Sequence, residues 1–318
     1  MKFPIIKNRK FFYSLSGILI LISILSLIAW GLKPGIDFSG GSLMELKFEI
    51  ERPDTDQLRE ILTDFNLGDI KAQPAGVANI ILRFKNIDEE THQQVLTRLR
   101  ENYKKDVAVE SETGETATVQ IEGLNEERFE SVGPVIGEEL KQKAWMAITL
   151  AVIMIIAYIA YAFRKVSKPV ASWKFGVAAI VALVHDIVIV TGLFSILGHF
   201  MGAEVDSLFI TALLTILGFS VHDTIVVFDR TRENLAKHYS GDFEEVVNDS
   251  VNQTITRSIN TSFTTLLVLV TLYFFGGQTI ANFVLALIAG VIIGTYSSIF
   301  VASPVIVTWH NISKKIRN

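Results

Sequence analysis

Three ionisable residues stand within, or at the edge of, long apolar stretches of the sequence. Asp186 and Asp223 lie inside such stretches, and Arg257 opens another. A charge inside a membrane is costly, so these residues are candidates for function. Asp223 is six residues before Asp229, which puts it about 9 Å inside the end of its helix at about 1.5 Å per residue. A carboxylate that faces an arginine can alternate between its ionised and neutral forms, as a proton relay requires.

Arg257 also heads a polar stripe. The residues three, four, seven and eight positions after Arg257 are Asn260, Thr261, Thr264 and Thr265. They share one face of a helix, where their hydroxyls would hold water. The alternative for Asp223 is a static buried ion pair, or a polar contact that holds two helices together. The same alternative applies to Asp186, for which neither interpretation is favoured.

Two histidines directly precede the aspartates, His185 before Asp186 and His222 before Asp223. Consecutive residues point about 100° apart on an α-helix. We therefore expect both histidines on another face, as packing or hydrogen-bonding residues.

Enzyme chemistry has little support in the sequence. The chain has no cysteine, so it offers no thiol nucleophile, disulfide or Cys-ligated metal site. The motifs GxxxxGK[ST], HExxH and GxSxG are absent. Asp186 and Asp223 lack the glycine-flanked motif of an aspartyl protease pair. We expect a protein that is not an enzyme and that has no cofactor or metal site.

The charges divide the chain into two kinds of sequence. Residues 33–143 hold 14 basic and 23 acidic residues, a net charge of −9, whereas the other 207 residues hold 15 basic and 10 acidic residues, a net charge of +5. A single soluble globule and a nucleic-acid binder based on net positive charge are both excluded. One segment is soluble and acidic, and the rest is suited to lipid.

Six apolar stretches are long enough to cross a bilayer, which takes about 20 residues. They are Phe12–Leu32, Ala144–Phe163, Phe175–Gly198, Ser207–Phe228, Ser258–Phe275 and Thr279–Thr308. The first is too long for a typical signal peptide, and Ala29-Trp30-Gly31-Leu32 is a poor cleavage site. The sixth carries a small residue at every fourth position, which allows close helix packing: Ala286, Gly290, Gly294, Ser298 and Ala302.

The short loops predict the orientation. Lys and Arg concentrate before the first span, in 164–174, in 229–257 and in the tail, whereas 199–206 and 276–278 have none. By the positive-inside rule both termini are cytoplasmic and the insert between the first two spans is extracytoplasmic. The domains are then 1–32, with the first span, the outer domain 33–142, and the remaining spans in 143–318.

The insert has the pattern of a small α+β domain. Alternation from Met44 to Ile50 predicts a strand, and Asp54 and Asp88 are placed to cap two amphipathic helices. Further strands are predicted at Ile70–Gln73 and Asn79–Phe84, and Val107–Glu110 and Thr116–Glu122 are predicted to be the closing strands of the sheet. The order β-α-β-β-α-β is typical of a ferredoxin-like fold. His92 is expected on the solvated surface. The domain could bind polypeptide or pack on a partner subunit.

The sequence therefore predicts a multi-pass α-helical membrane protein with six transmembrane helices and a ferredoxin-like extracytoplasmic domain between helices 1 and 2. Several motifs in it resemble the SecF family, the smaller membrane subunits of the SecD–SecF preprotein translocase accessory complex. They are Gly35-Ile36-Asp37-Phe38-Ser39-Gly40-Gly41, Ser131–Gly137, Val221–Arg230 followed by Arg232-Glu233-Asn234, Thr256–Thr265 and Gly294–Ile299. Their order and spacing cover nearly the whole chain.

The resemblance implies a proton-driven protein of the resistance-nodulation-division superfamily in the bacterial plasma membrane. By position, Asp223 matches the proton-carrying carboxylate, Arg257 its partner, and Asp186 a family acidic position. Gly35, Asp37, Gly40 and Gly41 match the motif at the junction of span and domain and are expected to be structural. The resemblance implies H⁺ as the coupling ion. His222 stands where many relatives have asparagine and could alter the hydration of Asp223, so Na⁺ is the alternative ion.

The resemblance also implies partners: SecD, the SecYEG channel, YajC-type and YidC proteins, and the exported unfolded polypeptide. No nucleic acid is expected. Two other functions stay open. One is a scaffold or chaperone subunit whose buried charges only fix helix packing. The other is a small-molecule exporter of the same superfamily, which would predict two large outer loops and about twice this length.

Overall fold

A computed structural model describes residues 3–49, 52–110, 116–162, 171–237 and 242–317 of the chain. The chain divides into two compact units, Met1–Lys33 with Ala144–Asn318, and Pro34–Lys143. Four basic residues used to predict the orientation, Lys2, Arg164, Lys165 and Lys168, lie outside the described residues, as do Ile50 and Phe163.

Ten α-helices and six strands make up the described parts of the chain. The helices are α1 (Arg9–Trp30), α2 (Ile36–Ser39), α3 (Thr55–Ile61), α4 (Glu89–Asn102), α5 (Pro134–Ala162), α6 (Ser172–Met201), α7 (Ser207–Lys237), α8 (Phe243–Phe275), α9 (Ala281–Ser297) and α10 (Ser303–Arg317). The strands are β1 (Gly41–Phe48), β2 (Lys71–Ala75), β3 (Asn79–Phe84), β4 (Lys104–Glu110), β5 (Thr116–Glu122) and β6 (Leu124–Val132).

Six helices of the described residues are long and apolar enough to cross a membrane, which confirms the predicted number of spans. The polar residues 243–257, which precede the fifth predicted span, are helical as well, because α8 is continuous over 33 residues. The sixth span, Ala281–Ile316, is not one regular helix. It consists of α9, a π-helical turn at Ser298–Ala302, and α10.

Small residues let the membrane helices approach one another closely. All five small residues at four-residue spacing on the sixth span are buried, as predicted. A Cβ added at Gly290 would overlap the side chain of Ile216, and one at Gly294 would lie 3.0 Å from Ser220 Cβ. The α7–α9 contact therefore depends on these glycines.

The second unit contains an antiparallel sheet of order β2-β3-β1-β6. The succession β1-α3-β2-β3-α4-β6 is the predicted β-α-β-β-α-β order of a ferredoxin-like domain. One face of the sheet packs on both helices through a buried core of Met44, Leu46, Phe48, Ile80 and Leu82 with Leu58, Leu62, Val95 and Leu99. Asp54 and Asp88 cap α3 and α4 as predicted, by accepting hydrogen bonds from the backbone N–H groups of Asp56 and Thr91.

The prediction of the closing strand was wrong. Val107–Glu110 and Thr116–Glu122 belong to a separate hairpin, β4-β5, whereas β6 completes the sheet against β1. In the pairing of β1 with β6, Glu45 lies opposite Arg128, but the next residue, Leu46, lies opposite Glu126. Glu127 is therefore the extra residue of a β-bulge. The bulge interrupts the alternation that marks a strand in the sequence.

The prediction of a solvated His92 was also wrong. The residue is only 4% exposed, and its ring stacks on Phe129 with centroids 3.7 Å apart. Nε2 lies 2.7 Å from Glu126 Oε1 and Nδ1 lies 3.2 Å from Glu89 Oε1. His92 therefore joins α4 to β6, a strand that the sequence did not reveal.

Candidate functional site

Asp186 is the centre of a buried polar cluster in the first unit. Its carboxylate is fully buried and accepts hydrogen bonds at Oδ2 from the hydroxyls of Ser220 at 2.5 Å and Ser297 at 2.8 Å. His185 Nδ1 lies 2.9 Å from Oδ1. One carboxylate thus connects α6, α7 and α9, and both of its oxygens have partners.

His185 does not point away from Asp186, so the expectation that it lies on another face was wrong, although its hydrogen-bonding role was predicted. The histidine is buried, and Nε2 has no hydrogen-bond partner among the described residues. Its ring lies beside that of Tyr296, with centroids 6.0 Å apart. The Tyr296 hydroxyl in turn contacts Ser16 Oγ at 3.1 Å, so this cluster extends to α1.

Asp223 is buried too, at 4% exposure, but its carboxylate is only half paired. Oδ1 accepts a hydrogen bond from the hydroxyl of Ser258 on α8 at 3.1 Å. Oδ2 is buried and has no hydrogen-bond partner within the described parts of the chain. Burying an unpaired carboxylate oxygen is costly. Asp223 therefore keeps one acceptor position available, in contrast to Asp186.

Arg257 is not hydrogen-bonded to Asp223. It is exposed on α8, as are Asn260, Thr261 and Thr264 of the predicted stripe, while Thr265 is half-buried. Both Arg257 and His222, which is exposed as well, lie close enough for their charges to act on Asp223. The structure thus brings Arg257 into the neighbourhood of the carboxylate, but the direct contact comes from the next residue, Ser258.

A second polar stripe of α8 was missed by the sequence reasoning. It runs at four-residue intervals along the buried face: Ser250, Thr254, Ser258 and Ser262. Ser262 Oγ lies 2.5 Å from Thr295 Oγ1 on α9, which places this stripe between α7 and α9. The four-residue spacing of these hydroxyls is visible in the sequence, but the sequence does not show that this face of α8 is the buried one.

The π-helical turn lies where these clusters meet. Ser297 hydrogen-bonds Asp186, whereas the next residue, Ser298, lies 2.8 Å from Thr224 Oγ1, beside Asp223 in the sequence. Ser303 Oγ reaches the Ser298 carbonyl at 3.1 Å. Such π turns are frequent at functional sites. Here two consecutive serines, the last residue of α9 and the first of the turn, contact two different polar groups.

The glycine motif of the second unit has a geometric basis. Gly35 precedes α2, and Asp37 lies in its first turn. Gly40 and Gly41 have φ values of 70° and 125°. A Cβ at Gly41 would lie 2.8 Å from the Phe84 carbonyl oxygen, and one at Gly40 would lie 3.0 Å from Pro134 Cα. Both the backbone conformation and the close approach therefore require glycine at these positions.

Six spans, a sheet-containing domain on the first long loop, and carboxylates buried between helices define a multi-pass α-helical membrane protein with an ionisable intramembrane site, an arrangement that marks ion pathways in transporters. The sequence profile described as "Protein export membrane protein SecD/SecF, C-terminal" matches residues 110–312, and that of the "SecD/SecF GG Motif" matches residues 26–49. The chain belongs to the SecD/SecF family of protein export membrane proteins.

Individual relatives agree with this assignment and confirm the resemblance seen in the motifs. Protein translocase subunit SecF of Thermobaculum terrenum is 41% identical over 96% of this chain and 94% of its own length. The corresponding subunit of Rhodothermus marinus is 39% identical over 96% of this chain and 92% of its own.

Solved structures share the fold. The crystal structure of SecDF, a translocon-associated membrane protein from Thermus thermophilus, superimposes with a TM-score of 0.78 and 32% identity over 98% of this chain. A SecDF structure in a super-membrane-facing form gives a TM-score of 0.67 at 32% identity over 100% of this chain. The chain spans 39% and 40% of the length of these two SecDF chains.

Proposed function

We propose that this chain is a translocase subunit that uses the proton-motive force, together with a SecD-type partner, to promote protein export through a SecYEG channel. The observation that carries the proposal is the half-paired carboxylate of Asp223, buried between α7 and α8 with Oδ2 unpartnered. A proton carrier needs an acceptor atom that is available in one state and occupied in another. Family membership supports the export role, and the geometry of Asp223 supports the ion coupling.

Asp223 fits the carrier role better than Asp186. The oxygens of Asp186 already meet two hydroxyls and an imidazole on three helices. Adding a proton there would disrupt an existing set of contacts. We therefore propose that Asp186 holds α6, α7 and α9 together and that Asp223 binds and releases the proton.

The exposed stripe of α8 supports a partner within the membrane. Arg257, Asn260, Thr261 and Thr264 face away from the other helices of this chain. Polar side chains in a span normally face protein or a water-filled cavity, because contact with lipid is unfavourable. A SecD-type subunit packed on α8 would cover this stripe and would enclose Arg257 next to Asp223. Contacts with YajC-type and YidC proteins are expected from the resemblance.

The outer domain would transmit the effect of proton passage to the exported chain. In this proposal residues 33–142 hold emerging, unfolded polypeptide for a short time and move when Asp223 changes its protonation state. The protein would lie in the bacterial plasma membrane with both termini in the cytoplasm and 33–142 outside. The ferredoxin-like sheet, a type of surface that binds polypeptide by its face or its edge, supports this assignment.

The test is export of a model preprotein into vesicles that contain this chain, its SecD-type partner and the channel. After ATP-driven insertion has been stopped, the fraction of preprotein whose export is completed is measured with and without a proton gradient. Asp223→Asn should abolish the gradient-dependent part of export. Asp229→Asn is the matched control, since Asp229 is an exposed carboxylate on the same helix. Equal completion by wild type and Asp223→Asn would refute the coupling. A requirement for a sodium gradient instead would assign Na⁺ as the ion.

A scaffold function is the alternative, and the saturated contacts of Asp186 favour it. If the buried charges only hold the helices together, Asp223→Asn should lower the thermal stability of the protein without a selective loss of gradient dependence. Measuring both quantities on the same variants separates the two functions.

A further inference from the structure

Residues 3–9, which lead into α1, are docked on the first half of α8. The Phe3 N–H donates a hydrogen bond to Asn252 Oδ1 over 2.7 Å, and Asn252 Nδ2 donates one to the Phe3 carbonyl over 2.9 Å. The side-chain amide of Asn252 therefore pairs with both backbone polar groups of Phe3. One helical turn away, the Ile6 N–H donates to Asn248 Oδ1 over 3.2 Å. Two asparagines of one helix thus hold the backbone of segment 3–9.

An ion pair and buried side chains add to this docking. Arg9 Nη1 lies 2.8 Å from Glu244 Oε1, and both side chains are about a quarter to a third exposed, at 24% and 30%. Ile5 and Ile6 are 4% and 0% exposed. They belong to the same buried core cluster as Val247 of α8. Segment 3–9 is therefore anchored by apolar burial as well as by polar contacts.

The residues of α8 that hold this segment share one face of the helix, because Glu244, Asn248 and Asn252 recur at four-residue intervals. The opposite face is held by α7, where Asn234 Nδ2 donates to Ser250 Oγ over 2.9 Å. Ser250, the first member of the second polar stripe, is two residues from each asparagine, which is about 200° around the helix. The first half of α8 is thus held from two opposite sides.

The contacts with segment 3–9 oppose a rotation of α8 about its axis. Arg257 would take the place of Ser258 at Asp223 only after a turn of about 100°. With its side chains an α-helix has a radius of about 5 to 6 Å, so such a turn moves a surface side chain by about 8 Å. Hydrogen bonds of 2.7 and 3.2 Å, as observed here, would be broken by that movement.

We propose that Asn248 and Asn252 are positioning residues for the proton-binding step. Through segment 3–9 they hold α8 in the rotation in which Ser258 contacts Asp223. This role rests on the proton-carrying function proposed for Asp223. Along the chain, α1 joins segment 3–9 to the outer domain. A movement of α1 would therefore reach α8 through these contacts.

The test measures the position of α8 by spin-label distances in the full chain in nanodiscs. The chain has no cysteine, so Ala236→Cys on α7 and Glu245→Cys on α8, both at exposed positions, carry the only labels. Asn248→Ala combined with Asn252→Ala should add a second population, displaced by up to about 8 Å. Thr256→Ala is the matched control, an exposed residue one turn further along the same face, and should keep one population. An unchanged distance in the double variant would overturn the proposal.

The Arg9–Glu244 pair gives a second test that leaves the asparagines intact. Arg9→Glu and Glu244→Arg each place like charges opposite one another and should each produce the second population. Combining the two substitutions exchanges the charges and should restore most of the original distance. Restoration by a second substitution excludes simple misfolding as the cause. A second population that persists in the combined variant would overturn the proposal.

The vesicle export assay separates this role from the function on which it rests. The variant with Asn248→Ala and Asn252→Ala should lose the gradient-dependent part of export and keep ATP-driven insertion. If it shows the second population but keeps full gradient dependence, the positioning role is overturned. If Asp223→Asn has no effect on export, the proton-carrying function fails, while the distances still measure the hold of segment 3–9 on α8.

Discussion

The hydroxyl of Ser258 donates a hydrogen bond to Asp223 Oδ1 over 3.1 Å, while Arg257, its neighbour in the chain, is exposed. In this state a neutral donor, and not the guanidinium, contacts the carboxylate. A rotation of α8 by roughly one residue, about 100°, would exchange the two partners. After such a rotation, Arg257 would replace Ser258 as the residue of α8 that faces Asp223.

Replacing Ser258 by alanine removes the hydrogen bond that Asp223 accepts. We expect the chain to stay folded and to lose about 1 kcal/mol of stability, because the carboxylate remains buried without that donor. Gradient-dependent export should fall, since the resting state of Asp223 is altered. Thermal unfolding in detergent and the vesicle assay measure the two effects. The control Ser14→Ala, which removes an exposed hydroxyl bonded to the Lys10 carbonyl, should change neither stability nor export. If Ser258→Ala also left both unchanged, the contact between Ser258 and Asp223 would be refuted.

Replacing Asp186 by alanine should be more damaging to the fold. The substitution strands the hydroxyls of Ser220 and Ser297 and the ring of His185 in the interior. We expect a loss of about 3 kcal/mol, the upper end of the range for buried groups left unpaired. Asp186→Asn keeps an acceptor of the same shape and should lose clearly less. Comparable thermal stability of Asp186→Ala and wild type would show that this cluster does not hold the helices.

A methyl group at Gly192 should separate α1 from α6. The added Cβ would overlap the backbone Cα of Ser23, which cannot rotate away as a side chain can. We expect Gly192→Ala to lose about 1 to 3 kcal/mol through overpacking. Gly17→Ala on α1 meets no atom within 4 Å and should gain roughly 0.5 to 1 kcal/mol from helix propensity. Thermal unfolding of the two variants side by side measures the difference, and equal values would argue against the close contact.

Helix α4 of the outer domain should become less stable in acid. Hydrogen bonds from the side chain and backbone of Thr91 lower the pKa of Asp88, and those from Gln93 and then His92 lower the pKa of Glu89. A folded pKa below the unfolded value, which is about 4 for these groups, means that the stabilisation is complete above about pH 4. It is lost as the pH falls through the folded pKa.

Hydrogen exchange of the α4 amides in the full chain, corrected for intrinsic rates, tests this pH dependence. Protection should be constant from neutral pH to about pH 5 and should decrease below about pH 4. The double variant Asp88→Asn, Glu89→Gln keeps a capping side chain and should show a smaller decrease. An identical acid dependence in the variant would exclude these two carboxylates as its source.

The sequence was most informative where one physical requirement acts locally. Apolar runs of spanning length predicted all six membrane helices, because a single continuous apolar segment satisfies its own backbone groups within lipid only as a helix. The caps at Asp54 and Asp88 were predictable for the same reason, since each depends on a residue two or three positions further on.

The sequence was least informative where a partner lies far along the chain. His92 reads as a surface residue on a charged helix, and its burial comes from Phe129 and Glu126 on a strand hidden by a bulge. In the membrane unit, Asp186 and Asp223 were found as charges in apolar stretches, but the serines that contact them were not. Serine is common in such stretches, and only the helix packing distinguishes Ser220, Ser258 and Ser297 from the others.

The π-helical turn at Ser298–Ala302 gives the last span one residue more than a regular helix would need. The two halves of the span therefore differ in phase. The Gly290–Gly294 face is set by its fit to α7, and the Trp309 face by its fit to the start of α6. Deleting one residue in the turn would rotate α10 by about 100° relative to α9. One continuous span can thus match two neighbours whose positions do not follow a single helical repeat.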